Sequence, residues 1–388
     1  MASGTADVVI IGAGAIGCSI AYHLTRKGVR DVLVLERDWI GAGSTSKAAG
    51  GIRVQFSTAT EIQFSLASIA FFERFPDEME ADCGYRHEGY LFVLTNEADL
   101  ARYRRDVELQ RSFGADVRLI TPDEIRAIAP DVRVDDVLMG VWCATDGYAI
   151  PNDVVQAYAR QARRGGARIM EETPVQAITV AGDRVAEVVT SRGRIATPLV
   201  INAAGPQAPL VGRMVGLELP VDPRRRHIFV TDALASVRHP MPMVIDQATG
   251  FYCRSEQNAV LMSPGDVGAV AEYECGPRID WDVLETAVNK AIRRVPALET
   301  ARVRNAWSGL RPLTPDQHAI VDWAPGLRGL YLAIGFGGHG FQHSPATGQV
   351  VAEEITGREP SIDLGSLRLS RFADGPHADL PRPTSSAD

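Results

Sequence analysis

The 388-residue chain has little cysteine, no long apolar run and no surplus of basic charge. Its five cysteines (Cys18, Cys83, Cys143, Cys253 and Cys275) are scattered without a CxxC pair. That excludes a disulfide scaffold and a thiolate zinc site, and points to a reducing compartment. No stretch reaches the ~18 apolar residues of a membrane span, and the first residues lack a basic lead followed by an apolar block; a cytoplasmic location is expected. The net charge of −8 argues against nucleic acid or an anionic membrane as a partner. His87 beside Glu88 has no third ligand at useful spacing, so no metal is expected. No repeat of solenoid period is present.

What remains is an ordinary globular composition, 45% hydrophobic and 23% charged, with length for two domains. The most informative segment is the first. An apolar run at 8–11 leads into Gly12-x-Gly14-x-x-Gly17, a helix to about residue 27, and a second apolar run at 32–35 that ends in Glu36. This is the dinucleotide fingerprint in its expected context. Gly12 permits the tight turn, Gly14 lets backbone approach a pyrophosphate, and Gly17 lets helix and strand pack closely. Glu36 can bind ribose hydroxyls, and the helix N-terminus faces the phosphates.

Further along, residues 58–75 read as a helix with Ile62, Leu66, Ile69, Ala70 and Phe72 near one face, stopped by Pro76. Residues 89–94 read as a strand, 97–113 as a charged helix, and Thr121-Pro-Asp-Glu124 as a capped helix start. Helix is expected at 151–164, 282–295 and 344–355, and buried strand at 198–205 and 330–334. A hairpin is expected at 185–196, and turn-interrupted strands over 226–275. Residues 1–6 read as a polar lead, Arg224-Arg-Arg226 as a solvated turn or else a dock for an acidic partner, and residues 373–388 as a disordered tail. Nucleotide-type segments at the ends and middle enclose antiparallel-looking ones. The expected fold is therefore α/β plus α+β: a Rossmann-like domain (1–80, 146–220 and 311–372) interleaved with an antiparallel-sheet substrate domain (81–145 and 221–310).

A second glycine motif spans 335–340 between a strand and a helix. No strand ends in an acid about twenty residues on, so a second nucleotide is not expected. The motif instead suits backbone passing close to a ligand with a helix N-terminus aimed at it.

Five ordered motifs now converge: the fingerprint, the loop 43–53, Asn202-Ala-Ala-Gly205, residues 307–316 and residues 335–341. Together they resemble the FAD-dependent amine and amino-acid oxidoreductases of the D-amino-acid oxidase, glycine oxidase and sarcosine oxidase group. Residues 51–55 and 250–254 look most similar to the sarcosine oxidase beta-subunit branch. The resemblance covers about residues 7–360. It implies FAD at Gly12, Gly14, Ala15, Ile16 and Gly17, with adenosine near Glu36 and Arg37 and adenine against the backbone at Val175. Ser44, Thr45, Ser46, Ala49, Gly50 and Gly51 would line pyrophosphate and isoalloxazine, with Ala203, Ala204 and Gly205 alongside. Gly337, Gly338, His339, Gly340 and Phe341 would face the flavin pyrimidine edge, near Arg311. Some members attach flavin through a cysteine, but residues 307–341 contain none, so non-covalent FAD is expected.

The flavin carries the redox step, so no general base need be evident, and none is. An amino acid needs a grip on its carboxylate, which arginine supplies best. Arg311 matches the carboxylate-binding arginine of the resembling oxidases; the alternative is a structural pair with Asp316 or Asp322. Arg53 is a second candidate, otherwise an ion pair. Tyr252 would cap the substrate, otherwise it packs in the core. His339 would bond flavin or tune substrate protonation, otherwise it serves loop geometry. Lys47 would lie near the flavin. His343, His227 and His239 read as loop histidines. The expected reaction is oxidation of a C–N bond in a small amino acid, secondary or N-alkylated as in sarcosine or proline. Hydride passes to flavin N5, the imine hydrolyses, and O2 or another acceptor takes the electrons. Alternatives are a primary amino-acid oxidase acting on glycine or a D-amino acid, a 2-hydroxy-acid dehydrogenase, or the flavin subunit of an electron-transfer complex. A partner subunit or homo-oligomer is compatible with each.

Overall fold

The computed structural model describes residues 3–266, Tyr273 and 279–373. Cys275 and the expected tail beyond Ala373 lie outside the described residues.

The strands Val8–Ile11 and Val32–Leu35 are apolar throughout and buried throughout, as parallel strands covered on both faces must be. They belong to a six-stranded sheet ordered Ile320–Trp323, Leu330–Ile334, Val200–Asn202, Val8–Ile11, Val32–Leu35, Arg168–Met170. All its pairs are parallel except the edge pair Ile320–Trp323 with Leu330–Ile334. Alternate side chains enter different cores. Val8, Ile10, Val32 and Val34 face the helices Ala15–Arg26, Pro151–Arg164 and Ser344–Ile355. Val9, Ile11, Leu33 and Leu35 face a core shared with Ile178, Val188 and Ile195.

Those three residues lie in a four-stranded sheet, Ser3–Thr5, Gly193–Ala196, Arg184–Thr190, Val175–Ala181. Only its central hairpin was expected. The "polar lead" contains a strand that pairs parallel with Gly193–Ala196. Pro76, read as a stop, opens a new short helix, Phe75–Met79, after Ala59–Glu73 ends. In that longer helix the buried stripe runs through Ile62, Phe64, Ser65, Ser68, Phe71 and Phe72, while Ala70 is exposed and Leu66 and Ile69 are half-buried.

A third sheet has eight strands: Val303–Leu313, Asp222–Thr231, Ala259–Ser263, Phe251–Glu256, Met243–Asp246, Tyr90–Leu94, Met139–Cys143, Val117–Ile120. It is antiparallel except where Met243–Asp246 runs parallel to Tyr90–Leu94. One face packs on helix Asp282–Arg294 through Val283, Ala287 and Ala291. The other carries Tyr90, Ile228, Met243, Ile245 and Tyr252, and forms the roof described next. Arg224-Arg-Arg226 is not a solvated turn. It lies inside the strand Asp222–Thr231, with Arg225 and Arg226 buried.

Candidate active site

Order in the six-stranded sheet reverses at Val8–Ile11, whose neighbours lead away on both sides. Crevices at such points, beyond the carboxyl ends of the strands, hold ligands in open α/β sheets. Here a cavity of about 500 Å³ opens there and runs under the eight-stranded roof.

At one end stands the glycine turn. Gly12 has φ +106°, and a Cβ on it would lie 2.6 Å from the Ala203 carbonyl oxygen. A Cβ on Gly17 would lie 1.9 Å from the Gly12 oxygen, so the helix can start here only with glycine at that place. Gly14, Ala15 and Ile16 line the cavity at the N-terminus of helix Ala15–Arg26. Glu36, just beyond its strand, accepts from Ala13 N at 2.8 Å and from Asp38 N at 3.0 Å while lining the same cavity. Arg37 and Val175 also line it.

The loop after Gly41 is tied across the molecule. Thr45 Oγ1 accepts from Ala15 N at 3.0 Å, Ser44 Oγ donates to Leu310 O at 2.5 Å, and Trp307 Nε1 donates to Lys47 O at 3.0 Å. Ser44, Thr45, Lys47, Ala49, Gly50 and Gly51 line the cavity, as do Ala203, Ala204 and Gly205. Ser46 does not; its hydroxyl turns back to Gly43 O at 3.4 Å. Gly17 does not either, because it packs under the turn.

The far end is cationic. Arg53 is buried, its guanidinium carbon 4.2 Å from the Phe56 ring centre, with Nη1 donating to Gln55 O and Nη2 3.1 Å from His339 Nε2. Arg311 Nη1 donates to both oxygens of Asp266, at 2.9 and 2.7 Å. The pairings considered for Arg311 do not form: Asp316 is bound by Arg371 and Asp322 by Arg368. Burial pushes the Asp266 carboxyl up, but the guanidinium groups of Arg226 and Arg311 outweigh it and hold it below the usual range. Arg53, Arg226, Tyr252, Arg311 and residues 336–342 all line the cavity.

Behind His339 lies a polar cluster. Glu61 Oε1 is 3.1 Å from His318 Nδ1, and His343 Nε2 meets Ser65 Oγ at 2.9 Å and Gln342 Nε2 at 3.0 Å. Burial raises the Glu61 carboxyl, and His318, His339 and His343 together bring it below its usual value. His343 and His227 are therefore buried, not ordinary loop residues. His87 pairs with Glu73 at 3.1 Å, and among the described residues no cluster could hold a metal.

The cavity joins residues near 12, 50, 226 and 340 into one space. The model of the family described as DAO, FAD dependent oxidoreductase, matches residues 7–354. The chain belongs to this family. FAD is its cofactor, and the turn at 12–17, the carboxylate of Glu36 and the cavity fit a dinucleotide.

This FAD dependent oxidoreductase is 31% identical over 389 residues to mitochondrial sarcosine dehydrogenase of Mus musculus, covering 95% of the present chain and 41% of that relative. The chain thus spans under half of that protein. It is 26% identical to the sarcosine oxidase subunit beta of Arthrobacter sp, covering 95% and 91%. Among solved structures, L-proline dehydrogenase from P. horikoshii superposes with a TM-score of 0.89 at 28% identity, covering 96% and 99%.

Arg226, Met243, Ile245, Tyr90, Thr173 and Gln342 line the cavity and were not anticipated from sequence. For Arg226 a signal existed: the apolar residues 228–230 follow directly, so the arginines fall in one strand with them.

Proposed function

We propose that this chain oxidises the C–N bond of a small amino acid, secondary or N-alkylated in the manner of sarcosine or proline. The observation that carries the reading is the single cavity with a dinucleotide turn at one end and buried Arg53 and Arg311 at the other. Relatives named for sarcosine and L-proline, both secondary amino acids, support it.

In this reading Gly12, Gly14, Ala15 and Ile16 hold the pyrophosphate, Glu36 with Arg37 the ribose, and Val175 the adenine. The loop at 44–51, residues 203–205 and residues 337–341 embrace the rest, without a covalent link. FAD, when bound, supplies the acceptor for the hydride leaving the carbon beside nitrogen. Arg311 grips the substrate carboxylate with charge-assisted bonds, and Arg53 adds positive potential from the same side. Tyr252 closes over the substrate, and Met243 and Ile245 keep water out. Residues 1–80, 146–220 and 311–372 form the FAD-binding unit, and 81–145 with 221–310 the substrate unit. What supports this division is the membership of the six- and eight-stranded sheets, save that Val303–Leu313 crosses the boundary. The electron acceptor is O2 or another carrier, and the beta-subunit relative supports a partner subunit.

Anaerobic mixing of the yellow protein with sarcosine or L-proline is expected to bleach it, while glycine, D-alanine and 2-hydroxyglutarate leave it yellow. Bleaching by neither secondary amine would overturn the proposal.

A further inference from the structure

Two arginines of the cavity share one acid. Asp266 is held beside the roof by a backbone bridge to Arg226, and both side chains converge on its carboxylate. They use different edges. Arg226 presents the side of its fork, Nε at 3.1 Å and Nη2 at 2.9 Å from Oδ1. Arg311 presents its Nη1 corner, to both oxygens. Its Nε/Nη2 edge turns toward the glycine loop: a Cβ on Gly338 would sit 3.2 Å from Nε and 3.3 Å from Nη2. The fork geometry that matches a carboxylate is thus spent on Asp266 at Arg226, and directed toward the glycine loop at Arg311.

We propose that Asp266 limits the substrate to a single carboxylate, by occupying the fork of Arg226 that would otherwise take a second one. This rests on the amino-acid reading above and deepens it. Asp266 acts through the two arginines, as a residue of specificity and positioning. Arg226 lies beside the roof tyrosine, its guanidinium carbon 5.7 Å from the Tyr252 ring centre, so a second carboxylate there would belong to the substrate's other arm.

The test uses the flavin-loaded protein and two thioethers that cannot give an imine, read by flavin absorbance and calorimetry. (Methylthio)acetate mimics an N-methyl amino acid with one carboxylate; thiodiacetate adds a second. The native protein is expected to bind the monocarboxylate at least about tenfold tighter. Asp266→Asn relieves both arginines and should tighten both ligands, thiodiacetate by at least about tenfold more than (methylthio)acetate. Adding Arg226→Gln should abolish the gain, and Asp266→Glu should keep the native ratio. Equal binding of the two by the native protein, which needs no variant, overturns the proposal, as does an unmoved ratio in Asp266→Asn. If neither thioether binds the native protein, the carboxylate reading of the site falls with it.

Discussion

A guanidinium has donors and no acceptor, so the contact of Arg53 Nη2 with His339 Nε2 makes that ring nitrogen the acceptor. In the proposed site His339 orients Arg53. Arg311→Ala is expected to weaken carboxylate ligands by about 100-fold, on the order of 3 kcal/mol for truncating one side of a desolvated charge pair, with flavin absorption retained. Ligand titration of the visible spectrum checks both halves. Away from the cavity, burial pushes the Asp106 carboxyl up to about 6, only partly countered by Arg102 and Arg105, and its Oδ2 has no partner among the described residues. As pH rises from about 4 to 6 the unfolded chain ionises this group before the folded one does, so stability falls through that window and then levels. Asp106→Asn should therefore leave Tm unchanged near pH 4 and raise stability by about 1–2 kcal/mol above about pH 7. A Tm series against pH that runs parallel for the two proteins would refute this.

Elements whose ends are set by local chemistry were legible from sequence alone. Helix Pro151–Arg164 has proline at its first turn and arginines at its last, and both bounds were anticipated. Thr121 caps the helix start expected there, and with Glu124 it forms a capping box. Thr121→Ala should cost about 1 kcal/mol in a urea titration without changing flavin content. The glycine turn was legible for the same reason, since steric limits act within a few residues. Gly17→Ala should cost about 2–3 kcal/mol and lower flavin per chain, because the clashing Gly12 oxygen is backbone and cannot swing aside. What stayed hidden depends on distant partners. In Val175–Ala181 only Ile178 is buried, so that strand has no apolar run of its own and exists through its neighbour Arg184–Thr190. Arg226 is buried because of an acid forty residues on, and Arg225 because of Ser308. The apolar run at 228–230 places both arginines in a strand, but no local pattern announces these partners.

On the scale of the whole molecule, the cavity is closed by contacts between opposite ends of the chain. Arg53 N donates to Gln342 Oε1 at 3.0 Å, and Ser19 Oγ to Ser344 O at 2.7 Å. The interleaved order of segments was readable, because nucleotide-type strands recur at 8–11, 200–202 and 330–334. The roof's mixed pairing was not. A fragment ending at residue 329 should emerge from gel filtration colourless, even though it keeps the whole glycine fingerprint; a yellow fragment would show that the far wall is dispensable.

The same closure bears on biosynthesis. A ribosome must deliver residue 342 before Arg53 meets Gln342, and at roughly 5–20 residues per second that is on the order of 15–65 s after the first strand leaves the exit tunnel. Through that interval the sheet around Val8–Ile11 and Val32–Leu35 lacks its strands Ile320–Trp323 and Leu330–Ile334. An incomplete sheet of apolar strands is prone to aggregate, so the yield should rise when a chaperone covers the emerging chain.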